Sequence, residues 1–183
     1  MTVNIKYSSK SAENWKNPLI AALYNSIKKN EFWDAYYTNT GQFSSINIHL
    51  GIFIEPYLQL IIEGKKTIES RFSVNQCSPF GKVSKGDVLL LKRSGGPIVA
   101  ICLINDAWFY HLNKELWSEI KEVHAKALCI EDPEFWQQKV NSNYATLMRV
   151  KNVHSMSPIN FEKSDRRGWV VLSYKNTNLN LFE

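Results

Sequence analysis

Two apolar segments joined by a glycine turn constrain the fold of this chain more than any other feature. Residues 88–92 and 98–107 are largely apolar, and the turn Ser94-Gly95-Gly96-Pro97 lies between them. Apolar runs of this length, bounded by glycine and proline, are typical of buried strands. Strands that are separated by so short a turn pair naturally as a hairpin. We therefore predict that these two segments form an antiparallel pair of buried strands.

The rest of the chain is predicted to add both strands and helices to this hairpin. Strands are expected where apolar and β-branched residues alternate, at 45–54, 67–74, 145–154 and 169–174. Helices are expected where apolar residues recur at helical spacing, at 56–63, 116–130 and 133–140. Most strands follow one another in hairpin order. This order indicates an α+β fold with one curved sheet that is largely antiparallel or mixed.

The composition limits the size and the class of the protein. A chain of 183 residues, of which 44% are hydrophobic, suffices for one well-packed domain. The formal charge of +5 favours an anionic partner such as nucleic acid. The first ten residues are polar and charged, and no apolar run approaches the roughly 20 residues that a membrane span requires. We expect a cytoplasmic protein that does not bind membranes.

The cysteine and histidine spacings match neither a disulfide framework nor a metal site. Cys77, Cys102 and Cys129 are widely separated, and we predict that they are reduced, buried thiols. The four histidines form no His-x-x-x-His or His-x-Glu pattern, so no metal site is predicted. The glycine-rich motifs that bind dinucleotides and nucleoside triphosphates are absent, so no cofactor is expected.

We predict that residues 1–44 form an N-terminal extension and that residues 45–183 form the main domain. Helical structure is expected over residues 11–37, because apolar residues recur there at helical spacing. An aromatic cluster lies within this stretch, at Phe32, Trp33, Tyr36 and Tyr37. We expect these rings to pack the extension onto the main domain. The alternatives are a stacking platform for bases or a contact surface for another protein.

The segment from Gly64 to Arg71, with the sequence GKKTIESR, connects a predicted helix to a predicted strand. Strand alternation places Glu69 and Arg71 on one face, where they can pair. Lys66 can reach the same cleft from the turn, whereas Lys65 points away and is expected to be solvated. Lys66 can hold a phosphate as a point charge, or act as a base if burial lowers its pKa. The simpler interpretation is an ordinary turn with a surface ion pair.

This segment also fits the pattern Gly-x-Lys-x-x-Glu-x-Arg, with Gly64, Lys66, Glu69 and Arg71 at the specified positions. The pattern resembles the signature of the ASCH domain family, which is part of the PUA-like superfamily. The resemblance continues through residues 82–92, the glycine turn and the closing segment that begins at Asp165, and it leaves out the first forty-odd residues. It implies a small PUA-like β-barrel flanked by helices. It also implies a cleft around the motif that binds RNA or a nucleotide.

Further residues are candidates for ligand binding in such a cleft. Arg93 and Ser94 begin the basic glycine turn, whose backbone can approach an anion closely. Phe109 can stack on a base, and His111 can donate a hydrogen bond to it. Two adjacent cations before the last strand, Arg166 and Arg167, can contact a nucleic-acid backbone. Each group also has a structural interpretation as a hairpin turn, as core aromatics or as a charged turn.

We expect an RNA- or nucleotide-binding protein that combines phosphate attraction with aromatic stacking. The main alternative is a hydrolase on the same cleft, either a modified-nucleoside amidohydrolase or a ribonuclease, with Lys66 as activator beside Glu69. A branch of ASCH proteins resembles amidohydrolases that remove acyl groups from modified cytidine. In that branch a threonine replaces Glu69 and a helical glutamate is added, for which Glu122 and Glu131 are the nearest candidates here. This departure favours binding over hydrolysis.

A second alternative is a protein-interaction module that uses the aromatic N-terminal extension as its contact surface. The charged motif favours a polar ligand over a flat protein partner. The sequence leaves the oligomeric state open.

Overall fold

The structure, a computed structural model, describes residues 4–7, 14–164 and 166–173. Within these residues the chain forms seven strands and five helices. In chain order they are β1 (Asn4–Tyr7), α1 (Lys16–Ile27), α2 (Glu31–Asn39), β2 (Ile48–Phe53), α3 (Tyr57–Ile62), β3 (Ile68–Ser73), β4 (Val88–Arg93), β5 (Ile98–His111), α4 (Lys114–Leu128), α5 (Pro133–Lys139), β6 (Tyr144–Lys163) and β7 (Trp169–Ser173).

The strands form one mixed sheet in the order β1-β6-β5-β4-β2-β7, and β3 also pairs with β6. The predicted hairpin is β4 and β5, which pair antiparallel with Val88 opposite Leu103. Two pairs, β1 with β6 and β2 with β4, are parallel. The prediction of an α+β fold with a mixed sheet is thus confirmed. The pairing of the described strands gives an open sheet, and closure into a barrel stays a prediction.

Helices α1 and α2 cover most of the stretch 11–37 that was predicted to be helical, and α2 ends two residues beyond it. Residues 11–13 of the stretch are outside the described residues. They bury Leu19, Leu23, Ile27 and Trp33 in the same apolar cluster as sheet residues such as Leu50 and Leu90. The Trp33 indole also donates a hydrogen bond of 2.9 Å to the Asn152 carbonyl. The division of the chain at residue 44 stays a prediction. The sequence did not predict β1, which adds a strand to this N-terminal part.

The C-terminal end of helix α4 packs against the start of strand β3. Helix α4 begins at the cap Asn113, whose side chain accepts a hydrogen bond from the Leu116 N–H, and ends at Cys129, which has a left-handed backbone (φ 52°). Just before this end, the Ala127 carbonyl accepts a hydrogen bond of 3.0 Å from the Thr67 N–H. Because of this contact, the C-terminus of α4 lies against the start of β3.

Two expectations about individual residues are wrong. Cys77 is exposed, because it lies in the loop after β3, whereas Cys102 is buried and Cys129 is partly buried. All three are free thiols. The strand predicted at 98–107 is longer than expected and includes residues 108–111, since its ladder with β6 continues to His111 opposite Tyr144. Asp165 and Tyr174, which were assigned to the closing segment, lie outside the described residues.

A buried polar network connects β2 with β4 and β7. Trp169 Nε1 donates to His49 Nδ1 at 3.2 Å, and His49 Nε2 lies 3.0 Å from Asp87 Oδ2. Because an indole N–H can only donate, Nδ1 must accept, and a neutral His49 then donates from Nε2 to Asp87. Burial would raise the pKa of Asp87, but the hydrogen bonds from His49, Asn47 and Ser84 outweigh burial and lower it.

Over the part of the chain that the structure describes, no helix is long and apolar enough to cross a membrane. The same residues contain no group of three or more His, Cys, Asp or Glu side chains that could hold a metal ion.

Candidate functional site

Three of the four motif residues, Lys66, Glu69 and Arg71, line a cavity of about 260 Å³ between the end of β2, helix α3, strand β3 and helix α5. We call this cavity the motif pocket. Its charged lining consists of Lys66, Glu69, Arg71 and Lys139. Its aromatic lining consists of Phe53, Tyr57, Phe72 and Phe135. The volume lies slightly below the range of about 300–1,000 Å³ that is common for small-molecule sites.

The turn after α3 explains why Lys66 points inward. Gly64 ends the helix with φ +72°, a conformation that glycine adopts without strain. The backbone N–H groups of Lys65 and Lys66 both donate to the Leu60 carbonyl, so the chain reverses tightly. After this reversal Lys65, which the motif does not specify, faces solvent as expected and pairs with Glu63 at 2.7 Å.

Lys66 is only 2% exposed, and three acceptors within the protein surround its ammonium, which has three N–H donors. Its Nζ donates to the Ile68 carbonyl at 2.8 Å and to the Leu128 carbonyl at 2.9 Å. The third neighbour is Glu69 Oε2 at 3.5 Å. Burial lowers the pKa of Lys66 below its ordinary value, and the negative charge of Glu69 opposes this shift. Lys66 therefore ties β3 to the end of α4.

Glu69 is a buried carboxylate between two cations. It is 5% exposed, and its Oε1 lies 2.9 Å from Arg71 Nε on the same face of β3. The predicted pairing of Glu69 with Arg71 is thus present. The Arg71 Nε–H is not aligned with this carboxylate and has no hydrogen-bond partner among the described residues.

The Arg71 side chain bridges from β3 to two other parts of the sheet. Its Nη2 donates to the Ile52 carbonyl at 3.0 Å, and its Nη1 lies 3.4 Å from the Gly168 carbonyl. The guanidinium group also lies over the rings of Phe53 and Trp169, at 4.9 and 5.3 Å from their centroids. These contacts hold the guanidinium in one orientation at the edge of the motif pocket.

A second depression, which we call the basic groove, lies on the other side of Ile52. It has a volume of about 710 Å³, and Ile52 lines both the groove and the motif pocket. Its lining includes Gly95, Gly96 and Pro97 of the turn between β4 and β5, together with the cations Lys92, Lys163, Arg166 and Arg167. The structure thus brings the predicted Arg166 and Arg167 close to the motif, but into a separate depression.

The other predicted ligand-binding residues line neither depression. Arg93 pairs with Glu55 through Nη1, and Ser94 donates its backbone N–H to the Phe53 carbonyl at 2.8 Å. Phe109 and His111 pack around Phe80, at 5.5 and 5.3 Å between ring centroids. Thr146 of β6 lies opposite Arg71 of β3 on one side and opposite Phe109 of β5 on the other. Strand β6 therefore separates Phe109 from Arg71.

Sequence reasoning did not identify several residues that line these depressions. In the motif pocket these are Phe53, Tyr57, Phe72, Phe135 and Lys139, and in the basic groove they are Lys92 and Lys163. Of these, Lys92 carried a signal, because it begins the basic run Lys92-Arg93 that leads into the glycine turn. The others come from segments whose proximity depends on the strand order.

Comparison with known proteins bears on the fold. No protein-family model matches the chain, and no curated protein sequence matches it. Among solved structures, a serine-to-alanine variant of the ASCH protein from Zymomonas mobilis is similar, with a TM-score of 0.50 at 10% identity over 64% of this chain and 76% of that one. The fold of this chain is ASCH-like.

Two further solved structures show weaker similarity. The ASCH protein from Zymomonas mobilis without that substitution has a TM-score of 0.49 at 10% identity, over 62% of this chain and 73% of that one. A protein from Enterococcus faecalis has a TM-score of 0.45 at 10% identity, over 69% of this chain and 92% of that one. The resemblance that the motif indicated is confirmed for the fold. At this identity, the likeness transfers neither an activity nor a ligand to this chain.

Proposed function

We propose that this protein binds RNA or a nucleotide and that the motif pocket holds one base. The observation that carries this proposal is the buried Glu69 carboxylate in a pocket whose lining includes four aromatic rings. Aromatic rings stack on any base, and a carboxylate accepts hydrogen bonds from the amino or imino groups on a base edge. Few other ligand classes combine a flat apolar face with such donors.

The surrounding charges support this role for Glu69. Lys66 and Arg71 both form ion pairs with the carboxylate, and the ammonium of Lys66 already contacts three acceptors within the protein. Lys66 would then position Glu69, while Glu69 and the rings contact the base. Lys139 at the rim of the pocket can attract the phosphate of the bound nucleotide.

The contacts of Arg71 suggest why the motif lies where it does. Its donors reach from β3 to Ile52 in β2 and to Gly168 before β7. Strand β2 already pairs with β7, and β3 would become a neighbour of this pair if the sheet closed into the predicted PUA-like barrel. We therefore propose that the motif occupies the junction at which this barrel closes, with residues 1–44 packed on its other side.

Binding of nucleosides, nucleotides and a short single-stranded RNA, measured by calorimetry, tests the proposed function. We expect the parent protein to bind, and Glu69→Gln to weaken binding at least tenfold, because an amide presents one acceptor in place of two and adds donors. A matched control is Glu119→Gln, which changes an exposed glutamate on α4 outside both depressions. Failure of the parent to bind any of these ligands would refute the proposal.

The hydrolase alternative also has an observation in its favour, since burial lowers the pKa of Lys66 as a lysine base requires. The comparison of Lys66→Arg with Lys66→Ala separates the two functions, because a guanidinium stays protonated and cannot act as a base. For a binding protein, we expect no turnover of RNA or acylated nucleosides by the parent and partial binding by Lys66→Arg. Turnover by the parent that both substitutions abolish would establish a hydrolase.

A further inference from the structure

We propose that the basic groove is a separate phosphate subsite that holds the backbone next to the nucleotide whose base fills the motif pocket. The preferred ligand is then a single strand of at least two nucleotides. This inference rests on the proposed function of the motif pocket. It adds a second site, a minimum length for the ligand and a path for the bound strand, which crosses Ile52.

The charge of the groove suits an anion. Among the described residues, four cationic side chains and one carboxylate, Glu162, line it, and together these side chains carry a net charge of +3. Glu162 itself lies 4.0 Å from Lys6 Nζ, so its negative charge is partly offset from outside the groove. The volume of about 710 Å³, against about 260 Å³ for the motif pocket, is suited to a stretch of sugar-phosphate backbone more than to one ion.

The strand order explains why these cations meet. Ile98, at the start of β5, lies opposite Ile159 near the end of β6, so the glycine turn and the end of β6 are neighbours. Trp169 in β7 pairs with Gly51 in β2, which brings the segment before β7 to the same edge. Lys92, Lys163 and Arg166 thus come from three segments that converge at one end of the sheet.

Lys92, unlike Lys66, has an N–H donor that is not used by acceptors among the described residues. Its Nζ donates to the carbonyls of Gly96 and Arg93, which leaves one N–H of the ammonium for a ligand. Burial and the positive charge of Lys163 both lower the pKa of Lys92. A bound phosphate would counter this repulsion. Lys92 in the groove can therefore contact a phosphate, whereas the ammonium of Lys66 is occupied by contacts within the protein.

The wall between the two sites is thin enough for one strand to occupy both. Ile52 lines each site, and Gly168 lines the groove. Arg71 contacts the carbonyls of both residues and is itself part of the motif pocket. A strand that leaves the pocket over this wall enters the groove directly.

The test measures the salt dependence of binding for a nucleoside and for a fluorescently labelled ten-nucleotide single-stranded RNA. For single strands, each phosphate contact contributes about −0.7 to the log–log slope of affinity against salt. We expect Arg166→Ala, which changes an exposed side chain, to reduce the slope by about 0.7 and to weaken RNA binding about fourfold near 0.15 M salt. Nucleoside affinity should not change. Lys92→Met should have the same effect on RNA binding, with folding checked by circular dichroism.

The control is Lys121→Ala, which removes one charge from an exposed site on α4 outside both depressions and should leave the slope unchanged. If Arg166→Ala and Lys92→Met bind RNA with the parent slope while the nucleoside still binds, the groove is not a phosphate subsite and the proposed function stands. Equal affinity of the parent for mononucleotide and ten-nucleotide RNA would also overturn the subsite. If neither nucleoside nor RNA binds, the proposed function itself fails.

Discussion

Replacing Lys66 by Met tests whether the motif lysine is a structural tie within the protein. Methionine keeps much of the apolar stem and removes only the ammonium, so the change leaves almost no cavity. The lost contacts are two charge-assisted hydrogen bonds, to the Ile68 and Leu128 carbonyls, and the ion pair with Glu69. The Leu128 carbonyl ends α4, where helical carbonyls lack partners and where a positive charge is favourable.

The expected loss of stability follows from these contacts. Hydrogen bonds to a charged group contribute about 1.5–3 kcal/mol each, and the lysine no longer has to be desolvated in the variant. Glu69 keeps Arg71 as a partner, which limits the cost of leaving a buried carboxylate behind. We therefore expect Lys66→Met to lower the free energy of unfolding by about 3 kcal/mol. For a domain of this size, that loss corresponds to a fall of about 6–12 °C in Tm.

Urea denaturation of the parent, Lys66→Met and Lys65→Met measures this effect. Lys65 is the matched control, because it is adjacent to Lys66 in the sequence, the motif does not specify it, and its side chain is 66% exposed. Its substitution should leave the unfolding midpoint unchanged. If Lys66→Met unfolds at the parent midpoint, the ammonium does not stabilise the junction of β3 and α4. The reasoning that assigns its three donors to the protein would then be wrong.

Two further predictions concern the rest of the fold. The pKa of Asp87 lies below its ordinary value of 3.8, so its ionised form stabilises the fold above that pH, and this contribution is lost as the pH falls through the lower folded-state value. Unfolding curves between pH 6 and pH 2 should therefore show a smaller loss of stability with acid for Asp87→Asn than for the parent, and parallel profiles would contradict this. Deletion of residues 1–44 should lower Tm or cause aggregation, because it exposes the sheet face beneath α1 and α2. An equally stable truncated protein that loses a partner would identify the extension as an interaction arm.

The parts of the fold that the sequence determined are those encoded by local periodicity. The apolar runs around the glycine turn specified the β4–β5 hairpin, because continuous burial and a short connection leave few other pairings. Strand alternation likewise put Glu69 and Arg71 on one face, since successive side chains of a strand point to opposite sides. Both properties depend on residues within a few positions of each other.

The tertiary structure decided what lies opposite these local features. The Leu128 carbonyl that accepts a hydrogen bond from Lys66 is 62 residues further along the chain. No local sequence pattern could therefore show that this lysine is buried and that its ammonium contacts acceptors within the protein. The separation of Phe109 from Arg71 by a whole strand follows from the insertion of β6 between β3 and β5. The basic groove depends in the same way on three distant segments that meet at one edge of the sheet. Sequence periodicity fixes the face on which a side chain lies, whereas strand order fixes its neighbours, because contacts between distant segments form only when the whole sheet is assembled.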